Sequence, residues 1–319
     1  MPAYNAAEFL EAAVERLLSQ TLDDFEVIVV DDGSMDATPQ RGALLTARHP
    51  QLRFFRLPQN GGVAQARAFG VQQSRGRFIW FVDADVSAPP TALTALYTAA
   101  QSTGADLVVA AARLYTRGEE SSRMISPPVF SAPISGASAL RSLLTGQITG
   151  HLWNKLVRRE VFDGIEFTPA EVHSDLALMG QLLAASATVT VIPDVVYAYR
   201  LRTGSVLHSD RHRAESLRLV EFAMTRAARQ VEPPLDRTSE FRYFLLRFIV
   251  LSGMKDALVS DYDRHTRQTL IRNLRLRLRW RDVLVLVYFR DARRLLLAVS
   301  AKCSLWLHRR ILRAAGRRG

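Results

Sequence analysis

The chain has 319 residues, of which 48% are hydrophobic and 23% charged, a composition that excludes a disordered, collagen-like or low-complexity protein. The one cysteine, Cys303, excludes a disulfide framework, and no spacing of cysteines and histidines is typical of a zinc site. The formal charge of +11 is uneven, because residues 1–199 carry 15 Lys and Arg against 20 Asp and Glu (net −5), whereas residues 200–319 carry 27 against 11 (net +16).

Helical and strand patterns alternate over the first hundred residues. The first helix is expected to open with a capping box of Asn5 and Glu8 and to bury a face that includes Phe9. The other predicted elements are strands over residues 25–30, 52–57, 77–82 and 105–110, and helices over residues 37–48, after the turn at residues 60–62, and over residues 92–102. Such alternation is typical of an α/β fold with a mostly parallel sheet and helices on both faces.

The segment before the first helix breaks this pattern. Residues 2–5 are predicted to be a loop, although a right-handed βαβ unit has a strand before its helix. We therefore expect the natural start of the chain to lie upstream of Met1.

The pattern is less regular after residue 120. Helices are predicted over residues 136–145 and 174–185, and strands over residues 188–192 and 195–199. From about residue 209 the chain is predicted to be helical and rich in arginine. We therefore place a domain boundary near residue 208, between an α/β domain of residues 1–208 and a basic helical region of residues 209–319.

Two acidic pairs end predicted strands. Asp31 and Asp32 follow one hydrophobic run, and Asp83 and Asp85 follow another. Turn and capping chemistry explains a single pair, but two pairs at one sheet edge favour a ligand site, since doubly wound sheets bind ligands there. Carboxylate oxygens suit Mg²⁺ or Mn²⁺. No P-loop or complete G-x-G-x-x-G motif is present, so a metal is expected to hold a diphosphate.

Several segments, in order and spacing, resemble the family 2 glycosyltransferases of the GT-A fold. They are Pro-Ala-Tyr-Asn at 2–5, Ser-Gln-Thr at 19–21, the run 25–36 with its Asp-Asp-Gly-Ser, Asn-Gly-Gly at 60–62, Ala-Arg at 66–67, the run 76–85 with its Asp-Ala-Asp and, more weakly, 153–162, 173–175 and 199–205. The resemblance covers residues 2 to about 208. It implies a GT-A catalytic domain, Rossmann-like with a mostly parallel sheet, and the family's first strand is missing here.

The resemblance also implies a donor site for a nucleotide-diphosphate sugar, with a UDP-sugar favoured. Its donor-binding residues would be Ala3, Tyr4, Asp32, Arg67, Asp83, Ala84 and Arg202. Asp32 would accept a hydrogen bond from the imide of the base, and Asp83 would face the ribose. Arg67 would lie near the base or the phosphates, the alternative being a salt bridge on the helix surface.

Mn²⁺ or Mg²⁺ is the cofactor that the resemblance implies, with Asp85 as a ligand. His208 follows a predicted strand, where a neutral imidazole could bind the same metal. The alternative for His208 is an ordinary surface histidine.

An inverting transfer needs a base that takes the proton of the acceptor hydroxyl. The resemblance assigns this role to Asp175, although Ser174 stands where the family usually has Glu. The alternative is an acidic residue that stabilises the dipole of a helix N-terminus. Trp153, Asn154 and Lys155 match the segment beneath the acceptor site, and core packing is the alternative for Trp153.

The basic C-terminal region suggests an anionic partner. One helical face is predicted to carry Leu295, Leu296, Val299, Cys303, Trp306 and Leu307, with arginines at its ends. Such a helix suits binding to an anionic membrane surface. The alternatives are that it packs on its own domain or on a second subunit in a homo-oligomer. Arginines alternating with apolar residues over 274–281 suit nucleic acid, but without a recognised motif we expect none.

These observations together predict an inverting glycosyltransferase in the cytoplasm, peripheral on the cytoplasmic face of the plasma membrane. No apolar run approaches the ~20 residues that cross a bilayer. The expected acceptor is a growing cell-envelope glycan: a lipid-linked oligosaccharide, a capsular polysaccharide or a teichoic-acid-like polymer. The alternatives are an inactive sugar-binding or scaffold homologue, disfavoured by the intact aspartates, and a basic nucleic-acid-binding protein.

Overall fold

The computed structural model describes residues 1–84, 87–116, 121–200 and 213–316. The elements of its α/β part are β1 (Pro2–Ala3), α1 (Ala7–Leu18), β2 (Val27–Asp31), α2 (Thr38–Arg48), β3 (Leu52–Arg56), α3 (Val63–Gln73), β4 (Phe78–Trp80), α4 (Ala92–Thr103), β5 (Leu107–Thr116), β6 (Ser121–Ile125), β7 (Ile134–Ser135), α5 (Gly136–Thr145), β8 (Lys155–Arg158), α6 (Ser174–Ala185) and β9 (Thr188–Arg200). Strands and helices alternate, so the predicted α/β class is confirmed.

The described strands form two sheets. In the first, β1, β2 and β3 are parallel neighbours, with Val27 opposite Leu52. In the second, the order is β4-β8-β5-β9-β7, with β6 on β5. There β5 and β9 are parallel, while β8 is antiparallel to both β4 and β5. The antiparallel strands come from the chain after residue 120, where the regular alternation of strand and helix ends.

Two predicted boundaries differ from the structure. Residues 2–3, predicted as part of a loop, form strand β1, and Asp32 N donates to Ala3 O over 2.8 Å. Two residues are too few to show the alternation that marks a strand. The strands predicted over residues 188–192 and 195–199 are one strand, β9, whose register against β5 shifts around Pro193 because proline has no N–H to donate.

Helix α1 takes its N-terminal cap from another loop. The predicted capping box is wrong, because the helix begins at Ala7 and no side chain of the segment around Asn5 and Glu8 caps it. Instead, Ala7 N donates to Asp36 Oδ2 over 3.1 Å. Phe9, expected in the core, is exposed. The buried face consists of Ala7, Leu10, Ala13, Val14 and Leu17.

The chain after the α/β part is helical, as predicted. Its elements are α7 (Ala214–Gln230), α8 (Ser239–Phe244), a π-helical turn (Leu245–Val250), α9 (Leu251–Val259), α10 (Arg264–Arg277), α11 (Asp282–Tyr288), α12 (Ala292–Cys303) and α13 (Leu305–Gly316). None of the described helices is both long and apolar enough to cross a bilayer. The predicted boundary near residue 208 lies outside the described residues, so the division into two domains stays a prediction.

Helix α7 packs directly against α6. Met224 shares an apolar cluster with Met179 and Leu183, and a Cβ added at Gly180 would lie 2.3 Å from Met224 Sδ. A side chain at this position would therefore require Met224 to move. Through this contact the helical region supports α6, whose first turn carries Asp175.

The apolar stripe predicted for residues 295–307 does not exist as one face. The helix breaks at Ser304, between α12 and α13. Leu295 packs against the cluster formed by helices α8 to α12, whereas Leu296 and Trp306 are exposed. The spacing of the apolar residues in the sequence does not reveal such a break, because serine is tolerated inside helices.

Candidate active site

The Asp-Asp-Gly-Ser turn after β2 is tied to the Asn-Gly-Gly turn before α3. Asp32 is buried, with Oδ1 accepting from Gly61 N over 2.9 Å and Oδ2 accepting from Gly62 N over 2.8 Å. Gly33 has a φ of 71°, and a Cβ there would lie 2.7 Å from Asn60 N. The two glycine-containing turns therefore form one packed unit at the carboxyl end of β2.

The first aspartate of the pair has a structural role. Asp31 is fully buried, its Oδ1 accepts from Ser34 N over 3.0 Å, and Arg56 Nε lies 3.5 Å from its Oδ2. Asp32 is the aspartate of this pair whose carboxylate oxygens accept from the Asn-Gly-Gly turn, and each of these oxygens retains a second lone pair. Its expected contact with a base imide stays a prediction.

Beside Asp32 lie the two residues expected to line the base. Ala3 is buried and joined to Asp32 through the backbone, whereas Tyr4 is exposed. Tyr4 therefore has a ring surface that can lie against a base, while Ala3 offers mainly its backbone.

Arg67 on α3 pairs with Asp83 after β4. Arg67 Nη2 lies 3.3 Å from Asp83 Oδ1, and the Arg67 side chain is 10% exposed against 34% for Asp83. This pair is the salt bridge considered as the alternative role of Arg67, but it is partly buried rather than on the helix surface. Arg67 Nε is buried and has no hydrogen-bond partner among the described residues, so it retains a donor for an anion.

Ala84 follows Asp83 and packs against the apolar cluster of the first sheet. Asp85, Arg202 and His208 lie outside the described residues. Within the described part of the chain, no three His, Cys, Asp or Glu side chains group as metal ligands. The predicted metal ligands therefore stay predictions.

Asp175 lies in the first turn of α6, after His173, whose φ of 63° ends the preceding loop. Its Oδ1 accepts from Leu176 N over 3.0 Å, and its Oδ2 lies 3.7 Å from His151 Nδ1. The side chain is 32% exposed, so a substrate can reach it. Burial works to raise the pKa of the Asp175 carboxyl, but His151 and the positive charge of Arg67 outweigh it and lower that pKa.

His151 is a site residue that sequence reasoning missed. Its ring stacks on Trp153 with centroids 4.8 Å apart, and Trp153 stacks on Tyr197 at 4.5 Å. A lone histidine has no spacing that marks it, and its place beside Asp175 is visible only in the structure. The structure agrees with core packing, the alternative role of Trp153, because the rings of His151 and Tyr197 cover both faces of its indole.

Asn154 and Lys155 are buried beneath the same site. Lys155 Nζ donates to His151 O and to Asn154 Oδ1, each over 2.6 Å, and Asn154 Nδ2 donates to Ala110 O. Burial lowers the pKa of Lys155 to about 7, although Asp175 acts to raise it. Asn154 and Lys155 thus bond to protein groups, which favours a supporting role over the direct acceptor contact expected of them.

A separate cleft of about 570 Å³ opens between the two sheets, lined by apolar residues such as Ile28, Val30 and Phe81. Arg67 lines it, but Asp32, Asp83 and Asp175 do not. We therefore place the candidate active site at the carboxyl ends of β2 and β4, which belong to different sheets, and at the start of α6, rather than in this cleft.

Comparison with known proteins identifies the family of the chain. The model of glycosyl transferase family 2 matches residues 1–165, more than half of the chain. The chain belongs to glycosyl transferase family 2. It is therefore a glycosyltransferase, as the resemblance predicted. The match ends before Asp175, so the role of that residue rests on its geometry and on the weaker resemblance around it.

Curated relatives include the glycosyltransferase GlyG of Streptococcus pneumoniae, which is 26% identical over 219 residues, 66% of this chain and 72% of that protein. The cholesterol galactosyltransferase of Borreliella burgdorferi is 26% identical over 216 residues, 65% of this chain and 60% of that protein. Each alignment leaves about a third of this chain unmatched.

Solved structures extend the likeness to the helical region. S. aureus TarS 1-349 in complex with UDP-GlcNAc superposes with a TM-score of 0.68 at 17% identity, over 99% of this chain and 90% of that one. The mannosyltransferase PcManGT from Pyrobaculum calidifontis, in complex with GDP-Man and Mn²⁺, has a TM-score of 0.56 at 17% identity. The match covers 94% of this chain and 85% of that one. These likenesses confirm the predicted GT-A fold.

Proposed function

We propose that the protein transfers a sugar with inversion from a nucleotide-diphosphate sugar to a hydroxyl of a cell-envelope glycan. The observation that carries this proposal is the position of Arg67. It pairs with Asp83, on the expected donor side, and its charge also lowers the pKa of Asp175, on the expected acceptor side. One guanidinium thus pairs with a residue of the expected donor side and favours the ionised form of the expected base.

On the donor side, Tyr4 would lie against the base, and Asp32 would accept a hydrogen bond from it. The unused Nε of Arg67 would donate to a phosphate oxygen. We favour a UDP-sugar, and the UDP-GlcNAc complex of the structural neighbour TarS supports that choice. Asp83 would face the ribose.

The metal assigned to this site is Mn²⁺ or Mg²⁺. The assigned ligands, Asp85 and His208, lie outside the described residues, and a carboxylate and an imidazole are donors of the kind that such cations accept. Asp85 and His208 would hold the cation. When bound, it supplies positive charge that stabilises the leaving diphosphate. The Mn²⁺ complex of PcManGT supports this assignment.

On the acceptor side, Asp175 would act as the base. His151 and Arg67 favour its ionised form, which accepts the proton of the acceptor hydroxyl. The acceptor oxygen then forms a bond to the anomeric carbon while the bond to the diphosphate breaks on the opposite face. Trp153, Asn154 and Lys155 support this site from below.

The acceptor and the location belong to the same proposal. We favour a lipid-linked oligosaccharide, a capsular polysaccharide or a teichoic-acid-like polymer, reached at the cytoplasmic face of an anionic membrane. The net charge of +16 over residues 200–319 supports an anionic surface as partner. Self-association of the chain stays an expectation.

The decisive experiment is calorimetric binding of UDP, GDP, TDP and ADP, with and without Mn²⁺. We expect metal-dependent preference for UDP. Asp175→Asn should keep that binding and lose transfer from the matching nucleotide sugar, because the amide cannot accept the proton. Full transfer by Asp175→Asn would refute the assigned base, and no nucleotide binding by the folded protein would favour an inactive homologue.

A further inference from the structure

Helix α11 presents apolar side chains to solvent. The exposed fractions are 59% for Trp280, 71% for Leu284, 54% for Val287 and 74% for Tyr288. Their spacing of four, three and one residues puts Leu284, Val287 and Tyr288 on one side of α11, with Trp280 in the turn before it. We call these four residues the α11 face.

The opposite side of α11 is firmly attached to the protein. Leu286 is fully buried in the apolar cluster of helices α8 to α12. Asp282 is buried and accepts from Arg242 at both carboxylate oxygens, over 2.8 and 2.5 Å. Phe289 stacks on Tyr243 with centroids 4.4 Å apart. The exposure of the α11 face is therefore a property of a docked helix, not of a detached one.

The chain segment that carries the α11 face is strongly basic. Residues 264–319 contain 16 Lys and Arg and two acidic residues, Asp282 and Asp291. Asp282 is paired with Arg242, and Asp291 is paired with Arg294. The exposed arginines nearest in sequence to the α11 face are Arg279, Arg281, Arg290 and Arg293.

An apolar face with tryptophan and tyrosine, bordered by arginines, matches the chemistry of a bilayer interface. Aromatic rings with a polar atom settle at the headgroup level, aliphatic side chains enter the acyl boundary, and arginines attract anionic headgroups. A nucleic-acid backbone would use the arginines but leave Leu284 and Val287 in water. An anionic bilayer uses both features.

We propose that the α11 face inserts into the interface of an anionic bilayer, with Arg279, Arg281, Arg290 and Arg293 bound to its headgroups. This surface differs from the stripe on residues 295–307 expected from the sequence. The inference rests on the proposed function in that membrane docking would bring the active site to a membrane-borne acceptor. Vesicle binding needs neither donor nor acceptor, so the two proposals fail separately.

The first test is flotation with vesicles of phosphatidylcholine alone and with an equal part of phosphatidylglycerol. We expect binding to the mixed vesicles that weakens in high salt. The double variant Trp280→Ser with Leu284→Ser should weaken it by about tenfold or more. The matched control is Phe222→Ser, which removes another exposed ring, 64% exposed on α7, and should leave binding unchanged.

The charged border is tested in the same way. Arg281→Glu with Arg293→Glu should weaken binding to the mixed vesicles by about tenfold or more, whereas Arg41→Glu with Arg75→Glu, exposed arginines of the α/β part, should have a smaller effect. Unchanged far-ultraviolet circular dichroism and an unchanged urea unfolding midpoint would show that each variant is folded.

A spectroscopic measurement needs no disruptive variant. Brominated lipids should quench the tryptophan fluorescence of the unaltered chain, and Trp280→Phe should remove most of that quenching while vesicle binding persists. Equal binding to neutral and anionic vesicles by all variants would overturn the proposal. The proposal would also be overturned if the chain forms a dimer and the double serine variant converts it to a monomer without changing vesicle binding. That result would assign the α11 face to contact with a second copy of the chain.

Discussion

His151 Nδ1 lies 3.7 Å from Asp175 Oδ2, although 24 positions separate the two residues in sequence. The His151 ring rests on Trp153, and Trp153 rests on Tyr197 of β9. Strand β9 has 13 residues and pairs with β5 and β7, so the stack joins the surroundings of the candidate base to the second sheet. We therefore expect His151 to act as a positioning residue for Asp175.

The first prediction concerns His151→Ala. Since His151 helps to lower the pKa of Asp175, its removal should raise that pKa and shift the acidic limb of the pH profile of kcat/KM towards higher pH. We also expect kcat to fall by about tenfold or more, because Asp175 loses its contact. The measurement is the rate of sugar transfer as a function of pH, at saturating and at subsaturating concentrations of the donor.

His265→Ala is the control for this variant, because His265 is exposed on α10. It should leave the profile unchanged. An acidic limb that stays in place in His151→Ala, with a protein of normal stability, would contradict the positioning role.

Arg67 gives the second prediction. Arg67→Met removes the partner of Asp83 and the buried donor Nε, so UDP binding should weaken by about tenfold to a hundredfold, as expected for hydrogen bonds to a charged group. Titration calorimetry with UDP measures the loss. Arg41→Met, at an exposed position on α2, is the matched control, and equal affinity of both variants would exclude Arg67 from the donor site.

The candidate donor residues are easier to recognise in the sequence than their surroundings. Asp32 and Asp83 each follow a hydrophobic run, which is a local signal, although the expected single sheet edge is not found because β2 and β4 lie in different sheets. Asp175 was recognisable only through the resemblance to the family, and its role stays a prediction. His151 was not recognisable, because its role depends on a stack with Trp153 and Tyr197, which come from separate segments.

The same distinction holds for the fold. The helix at Gly136–Thr145 has the predicted bounds, since its apolar spacing and its end at Gly146 are local signals. The cap of α1 by Asp36 and the outward face of α11 are tertiary features. No periodicity distinguishes an apolar side chain that faces a core from one that faces solvent.

The third prediction concerns the joint between the two glycine-containing turns. Gly33→Ala forces a side chain into a positive φ and places a Cβ 2.7 Å from Asn60 N. The free energy of unfolding should fall by about 1–3 kcal/mol, and UDP binding should weaken because Asp32 moves. Urea unfolding and calorimetry measure the two effects. Gly104→Ala also has a positive φ but meets no atom within 4 Å, so it should cost stability without affecting UDP binding.

The fourth prediction concerns the buried ammonium of Lys155. Burial lowers its pKa from 10.5 to about 7, so between these values the unfolded chain binds a proton that the folded protein does not. The free energy of unfolding should therefore rise with pH over this interval, by up to about 1.4 kcal/mol per pH unit. The stability gained in this way at high pH should be lost as the pH falls towards 7.

Lys155→Met isolates this effect, because methionine fills a similar space without a titrating group. Urea unfolding of both proteins at pH 7, 8 and 9 gives the difference in their free energies of unfolding, in which other titrating groups cancel. We expect the difference to change in favour of the native protein as the pH rises. A difference that is constant with pH would show that Lys155 is protonated in the folded protein throughout, held by His151 O and Asn154 Oδ1 despite its burial.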